Sequence, residues 1–490
     1  MDEIRVENLR SLKDTGYIKL KNINIFLGQN SSGKSTFVRT LPLLKQSLQE
    51  KTKSGILWYG KYVDFGSFKE ASCNSAGPGQ QTINFTFVVN DLQVAKDSLA
   101  YITAKTMQKK PSSIKPGRVE ITAKISKDNQ RHSEYSLKIR NHSISIVVAG
   151  GMNLEKFEVD GLDFLSKANF GYTFYLHYGL LPILLPQHGL DGTVLDTDLQ
   201  SDLLKEFSYI DGVSSSLLEG LTFESCIDIA ALAKALGAAE KLITKENLQQ
   251  VSRYVLIRSL PFIWDSLRDH INDFTSKVQY ITPIRASAER YYRIQGLSVE
   301  ELDPQGTNLA MFLHSLSAAQ AKEFSEWTQK HMGFSVNSKN TEGHVSILIS
   351  DKDNKKINMA DTGFGFSQVV PILAQIWKSL TTDRRSTPAY YVIEQPELHL
   401  HPKMQARLAD ILIAAVKSAK HSQIKLVIET HSETFINQLG KAIDKDLISP
   451  NDVGIYLFDK HELDGTTTIT ESAFDAQGFL TKWPYGFFDS

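Results

Sequence analysis

The sequence predicts an α/β fold: a parallel-sheet head built from both ends of the chain, with an inserted region of antiparallel strands followed by helices. Three observations carry this prediction. The first 48 residues read as strand, glycine-containing turn and helix. Near the other end, two apolar strands, AYYVIEQ (389–395) and IKLVIET (424–430), flank a helical stretch, PKMQARLADILIAAVKSA (402–419). Such a βαβ run implies a parallel sheet. The middle of the chain changes texture, to short alternating strands and then to helical periodicity. The expected divisions are 1–90 for the N-terminal part of the head, 91–280 for the insertion and 281–490 for the C-terminal part.

Each element follows from local pattern. YIKLKNINIFLG (17–28) alternates and then runs apolar into glycine, as a buried strand does. KSTFVRTLPLLKQSL (34–48) has helical spacing through Phe37, Leu41, Leu44 and Leu48; Pro42 either kinks this helix or ends it early. After TINFTFVV (82–89), the stretches RVEITAKIS (118–126), YSLKIR (135–140) and SISIVVAG (143–150) read as an antiparallel sheet with polar turns. From about 198 to 277 the pattern is helical. No heptad is sustained over three or four repeats, which argues against a long coiled-coil arm. HVSILIS and INMAD (344–361) read as a hairpin around a polar turn. SQVVPILAQIWKSL (367–380) reads as an amphipathic helix with Ser367 as its cap.

Composition narrows the class. A chain of 490 residues suggests about three domains, or one large domain with insertions. With 41% hydrophobic residues it can bury a large core without disulfides or metals. A net charge of -1 excludes a basic coat or an acidic tail as whole-chain features, though not local patches. Cys73 and Cys226 cannot form a disulfide framework and lack zinc-finger spacing, so a reducing cytoplasm is the simplest compartment. The start, MDEIRVENLR, is not a signal peptide, and YGLLPILLP (178–186) is too short and proline-rich to span a bilayer. A soluble, cytoplasmic protein is expected.

The segment Gly28-Gln29-Asn30-Ser31-Ser32-Gly33-Lys34-Ser35 fits the pattern G-x-x-x-x-G-K-[ST]. Glycines let the backbone wrap so that its N–H groups face phosphates. In this pattern the lysine reaches the β- and γ-phosphates and the serine hydroxyl binds Mg²⁺. A strand before and a helix after supply the required context, and the helix start adds its positive end. Gly28, Asn30, Ser31, Ser32, Gly33, Lys34, Ser35 and Thr36 are therefore the expected nucleotide ligands.

Carboxylates come from Val392-Ile393-Glu394-Gln395-Pro396-Glu397. Glu394 ends the strand and is the expected Mg²⁺ carboxylate. Gln395 is neutral where phosphohydrolases need a base, and Glu397 is the nearest spare carboxylate. His399 and His401 form H-x-H, but no third ligand is identifiable by spacing, so an interface or structural role outweighs zinc. His431 follows the second apolar strand, where it suits a γ-phosphate contact.

The order of motifs is phosphate loop, Gly363-Phe364-Gly365-Phe366-Ser367-Gln368 opening a helix, VIEQPELHLHP, then IETHSE. This resembles the ATP-binding-cassette ATPases of the SMC/RecF kind. It looks most like the compact branch related to the overcoming-lysogenization-defect ATPases of bacterial anti-phage systems, with the Septu ATPase, which partners an HNH nuclease, as a relative. ENLRSLKDT (7–15), TPIRASAERYY (282–292) and GFLTKWPYGFFD (478–489) are also similar to the group. The likeness covers 1–90 and 280–490. The resemblance implies an ABC-type P-loop ATPase head with residues 28–36 as Walker A. It makes Glu394 the Walker B acid, Gln395 the occupant of the catalytic-glutamate place and His431 the switch histidine. It also makes Gly365, Ser367 and Gln368 part of a signature motif that touches ATP on a second subunit. GFGFSQ departs from LSGGQ. A glutamine-bearing Q-loop is missing, and Asp64-Phe65-Gly66-Ser67-Phe68 lies where one is expected.

The function implied is an ATP-binding and hydrolysing dimeric switch that controls a separate effector, a nuclease, in an anti-phage system. The cofactors are ATP and Mg²⁺; the partners are further copies, as a homodimer or higher even oligomer through ATP-sandwiched heads, and the effector, with nucleic acid left open and no membrane. Related nuclease-bearing enzymes add a Toprim domain with a Glu and a D-x-D. Asp196-Thr197-Asp198 reads instead as a helix start, so no intrinsic nuclease is expected. Two alternatives stay open. One is a RecF-like repair ATPase that clamps DNA, for which KTMQKK (105–110) with Lys115 and Arg118 is the best basic patch. The other is a non-hydrolysing scaffold, favoured by Gln395.

Overall fold

The computed structural model describes residues 1–50, 55–73, 82–94, 114–127, 132–149, 153–165, 172–175, 179–186, 197–210, 212–296, 299, 301–350, 355–382, 388–418, 424–461, 463 and 465–482. The basic stretch 105–110 and Asp196 lie outside the described residues. The chain forms two compact units.

The first unit comprises Met1–Leu9, Leu44–Tyr59 and Phe65–Ser276. Its main sheet is antiparallel, in the order Leu162–Asp163, Asn153–Val159, His142–Ala149, His132–Ile139, Val119–Ser126, Thr82–Val89 and Glu3–Leu9. Val119–Ser126 alternates buried and half-buried residues without a break, the period-2 signature of a one-sided sheet. Helices Thr197–Glu206, Ser215–Gly220, Ile229–Leu236 and Lys245–Ser276 follow. The last is one 32-residue helix that passes through Pro261. It buries Val255, Leu260, Ile263 and Trp264 on both sides of the proline, which offsets the lost hydrogen bond. The Trp264 indole donates to the Pro182 carbonyl at 2.9 Å and stands edge-on to Tyr135 at 5.4 Å.

The second unit comprises Arg10–Leu43, Gly60–Asp64 and Lys277–Ser490. Its central sheet has six strands, in the order Val278–Ile281, Ala389–Glu394, Ile424–Glu429, Ile23–Gly28, Val453–Lys460 and Thr467–Ser472. The first five run parallel and the last is antiparallel. Helices Phe364–Thr382, Pro402–Ser418 and Glu433–Asp444 belong to the same unit and bury Val369, Leu373, Leu408, Leu412, Phe435 and Leu439 in one core with Ile25, Ile393 and Ile428. This is the α/β P-loop architecture, with its sheet drawn from both ends of the chain. Among the described residues, no helix is long and apolar enough to cross a membrane.

The break expected at Pro42 and the hairpin at 344–361 are both present, and the cap expected at Ser367 is corrected. The helix after the phosphate loop is split into Lys34–Val38 and Thr40–Gln49. Pro42 has no N–H to reach the Val38 carbonyl, and the break falls there. Ser367 is not a cap: the helix starts at Phe364, and the Ser367 hydroxyl donates to the Phe364 carbonyl at 2.8 Å. The hairpin at 344–358 belongs to a four-stranded sheet with Ser335–Thr341 and Tyr292–Arg293, and SVNSKNT carries no apolar alternation, burying Val336 alone.

Gly440, inside helix Glu433–Asp444, meets Gly478 backbone to backbone. A Cβ on Gly440 would lie 2.3 Å from the Gly478 carbonyl oxygen. On an open helix face, Gly→Ala gains about 1 kcal/mol. Here the sign reverses, and Gly440→Ala is expected to cost on the order of 2 kcal/mol. Thermal melting checks it: an unchanged or higher midpoint would refute the close approach.

Candidate active site

The strands of the second unit end side by side and bring the candidate residues together. Gly28 closes the strand Ile23–Gly28 at φ 145°, and a Cβ there would sit 2.2 Å from the Phe458 carbonyl oxygen. Glycine is demanded by this approach as well as by the turn. Ser31 is left-handed (φ 61°), as is Gly33 (φ 93°), where a Cβ would meet the Ser11 and Thr467 hydroxyls. Thr467 donates to the Ser32 carbonyl at 2.8 Å and so pins the loop from the edge hairpin. Gln29, Asn30 and Ser31 are exposed, whereas Ser32, Lys34 and Thr36 are buried.

Lys34 is turned back into its own loop. Its Nζ donates to the carbonyls of Gly28 and Gln29, each at 2.7 Å. Burial lowers its pKa, while Glu429 and Glu397 pull it up. The Ser35 hydroxyl donates to Glu429 Oε1 at 2.8 Å, and Lys34 Nζ lies 4.0 Å from the same oxygen. Glu429 Oε2 is buried and has no hydrogen-bond partner among the described residues; Ser32 Oγ is in the same condition. Burial and the neighbouring Glu394 push the Glu429 carboxyl up to about 7.

Glu394 is only 1% exposed and fully engaged. Arg39 clamps it through Nε to Oε1 at 2.8 Å and Nη2 to Oε2 at 2.7 Å. The Tyr280 hydroxyl adds a bond to Oε1 at 2.6 Å. Gln395 sits at φ 43°, its N–H bonded to the Glu429 carbonyl at 2.8 Å. Glu397 accepts the His431 N–H at 2.6 Å and the Thr430 hydroxyl at 2.8 Å. Burial still raises its pKa. His431 stands one residue before Ser432, which caps helix Glu433–Asp444. Burial and Lys34 lower its imidazole to about 4, so it is neutral at physiological pH.

The GFGFSQ segment faces inward more than expected. Ser367 and Gln368 are each 3% exposed. Gln368 bonds both ways to the Arg285 backbone, accepting its N–H at 3.2 Å and donating to its carbonyl at 3.3 Å. Gly365 passes close to the His399 carbonyl, which a Cβ would approach to 3.2 Å. Gly363 and Phe364 are exposed. His401 accepts from the Lys403 N–H at 3.3 Å at the start of helix Pro402–Ser418, and the exposed His399 ring lies 6.1 Å from Phe364. Ser67 and Glu70 form a capping box on the short helix Phe68–Ala71, within the segment where a Q-loop is expected. Arg118 binds Glu3 at 3.0 Å and Asn90 at 2.9 Å, whatever the rest of its basic patch does.

Four residues here are absent from the sequence-based candidates: Arg39, Tyr280, Arg285 and Glu429. Arg285 is 2% exposed; its Nη2 donates to the Glu394 carbonyl at 3.1 Å, while Nε and Nη1 have no partner among the described residues. Burial lowers its pKa to about 10. Glu429 carried a legible signal, since IKLVIET ends in the same Val-Ile-Glu as AYYVIEQ. Arg39 and Tyr280 carried none, because their partner is set only by strand order.

A glycine-wrapped loop, a lysine and serine opening a helix, and strand-end carboxylates at one sheet edge define a P-loop ATPase. The chain belongs to the AAA ATPase domain family, which it matches over residues 1–158 and 229–436. No curated protein matches it in sequence. Among solved structures it is similar to the Smc head domain with an extended coiled coil, bound to the C-terminal domain of ScpA, from Pyrococcus furiosus. That likeness has 12% identity and a TM-score of 0.38, over 96% of each chain. It is also similar to the SMC head domain from Thermotoga maritima, at 8% identity and a TM-score of 0.35, over 96% of this chain and 98% of that one.

The Arg39–Glu394 pair yields a direct test. Removing one partner of a buried pair costs about 3–5 kcal/mol, and the partly exposed Arg39 places Arg39→Met near the lower end. Arg39→Met/Glu394→Gln is expected to recover at least half of that loss, as read from denaturation midpoints. Additive losses would show that the two side chains act independently.

Proposed function

We propose that the chain is an ATP-binding, slowly hydrolysing switch that works as a dimer. In this reading it controls a separate nuclease effector in a bacterial anti-phage system. The observation that carries the nucleotide reading is the convergence of Lys34, Ser35, Glu429 and His431 at one sheet edge. Family membership supports ATP as the nucleotide. The defence reading rests on the succession of GFGFSQ, VIEQPELHLHP and IETHSE after the phosphate loop, and on no contact in the fold.

The residues fit a hard cation with oxygen ligands. Ser35 offers a hydroxyl and Glu429 a buried oxygen with no partner among the described residues, and Glu394, whose oxygens are held by Arg39 and Tyr280, stands on the next strand. Magnesium, when bound, neutralises phosphate charge. Lys34 exchanges its two loop carbonyls for phosphate oxygens, a charge-assisted bond of greater strength. His431, neutral and held by Glu397 through its backbone N–H, offers an imidazole to the γ-phosphate side. Gln395 orients a water but cannot take its proton. Glu397, the nearest alternative, has both oxygens engaged. A general base contributes about 10²–10⁴-fold, so turnover is slow and the ATP-bound dimer is long-lived.

Because Ser367 and Gln368 are buried within their own subunit, contact with the second subunit's ATP falls to the exposed backbone around Gly363 and Phe364. The same slow turnover also suits an ATP-bound scaffold, which differs only in having no hydrolysis at all.

Lys34→Ala is expected to weaken ATP binding by roughly 10–100-fold, beyond the modest fall in melting midpoint that follows from unpairing the Gly28 and Gln29 carbonyls. It should also abolish ATP-dependent dimerisation in light scattering. Wild-type affinity in that variant would remove the nucleotide reading. Gln395→Glu is expected to raise steady-state phosphate release by at least about tenfold. A rate at or below wild type would place the hydrolytic centre elsewhere.

A further inference from the structure

The hairpin of Val453–Lys460 and Thr467–Ser472 touches the phosphate loop through one side chain, Thr467. This residue opens the second strand and is 5% exposed. Its hydroxyl donates to the Ser32 carbonyl at 2.8 Å, and its N–H donates to the Ser11 carbonyl at 3.0 Å. The Ser11 hydroxyl lies 3.1 Å from the Thr467 hydroxyl. A Cβ on Gly33 would come within 3.0 Å of Thr467 Oγ1 and 2.7 Å of Ser11 Oγ. The two hydroxyls therefore close one side of the Ser32–Gly33 peptide.

We infer that Thr467 is a positioning residue for phosphate binding: by holding the Ser32 carbonyl on the hairpin side, it aims the Gly33 N–H into the loop, toward the oxygens of a bound nucleotide. This inference rests on the nucleotide reading above.

The argument is that of a rigid plane. A trans peptide is flat and carries its C=O and N–H on opposite sides. A bond that holds the Ser32 carbonyl thus also sets the direction of the Gly33 N–H. The neighbouring backbone groups are already engaged. The Ser32 N–H donates to the Gln29 carbonyl at 3.3 Å, and the carbonyls of Gly28 and Gln29 both accept Lys34. The Gly33 N–H makes no hydrogen bond among the described residues. Ser31 (φ 61°) and Gly33 (φ 93°) alternate with residues of negative φ, a backbone pattern that turns N–H groups into a concavity suited to anions. Threonine suits the task at position 467. Its β-branch restricts χ1, so the hydroxyl reaches the carbonyl at small entropic cost. Loss of that hydroxyl leaves the peptide plane free to turn, and the effect falls on phosphate affinity.

The test uses the full chain and a fluorescent ATP analogue with Mg²⁺, with melting midpoints read in parallel. Failure of the wild type to bind the analogue sinks the nucleotide reading itself, separately from this inference. Given binding, Thr467→Val keeps the branched shape and loses the donor, and it is expected to raise the Kd by about tenfold. Thr467→Ser keeps the donor and is expected to stay within about threefold of wild type. Thr468→Val alters the exposed next residue of the same strand and is also expected to stay within about threefold. A purely structural role would lower the midpoint of Thr467→Val and leave the Kd of the folded protein unchanged. Thr467→Ala needs less room than valine and carries the same reading if the valine variant does not fold. Wild-type affinity in the folded donor-less variant, or an equal loss in Thr467→Ser or Thr468→Val, overturns the assignment.

Discussion

The position of the strand Ile424–Glu429 between the phosphate-loop strand and the strand ending in Glu394 is the constraint on which the site depends. Parallel pairing fixes its register on both sides, so the ends of three strands and the turns after them are set together. From that placement follow the Ser35–Glu429 bond, the Gln395 N–H bond to the Glu429 carbonyl, and the delivery of His431 to the sheet edge. Ligands of open α/β sheets bind beyond the carboxyl ends of the strands, and every proposed catalytic group here lies at such an end.

Opposite charges meet inside this edge. Lys34, Arg39 and Arg285 face Glu394, Glu397 and Glu429 within the second unit. The pairing is uneven. Glu394 is saturated by Arg39 and Tyr280, Glu397 is used to hold the backbone of His431, and Glu429 is left partly unmatched, which is why burial raises its pKa so far. Desolvation is tolerated where bonds are complete and shifts titration where they are not.

Much of the head was legible in the sequence. The phosphate loop, the two apolar strands and the helices around 364–382 and 402–418 follow from periodicity and glycine placement, because each is local. What stayed hidden was set by strand order. Two identical Val-Ile-Glu ends are equivalent in sequence, and only the sheet tells which one adjoins the loop. Tyr280 and Arg39 lie 241 residues apart and meet on one carboxylate, a contact that no spacing rule contains. Ser367 and Gln368 looked like ligand-facing residues by motif. Their inward turn follows from the helix starting three residues earlier, at Phe364, which rotates them onto the buried face. The polar strand Ser335–Thr341 escaped notice because its partner, not its own side chains, holds it in the sheet.

The lysine folded back on the carbonyls of Gly28 and Gln29 ties the first two residues of the loop to the helix that follows it, so the cation that the motif directs at phosphates also holds the shape of the loop. In the proposed nucleotide reading, these two short bonds are the ones that phosphate oxygens would replace.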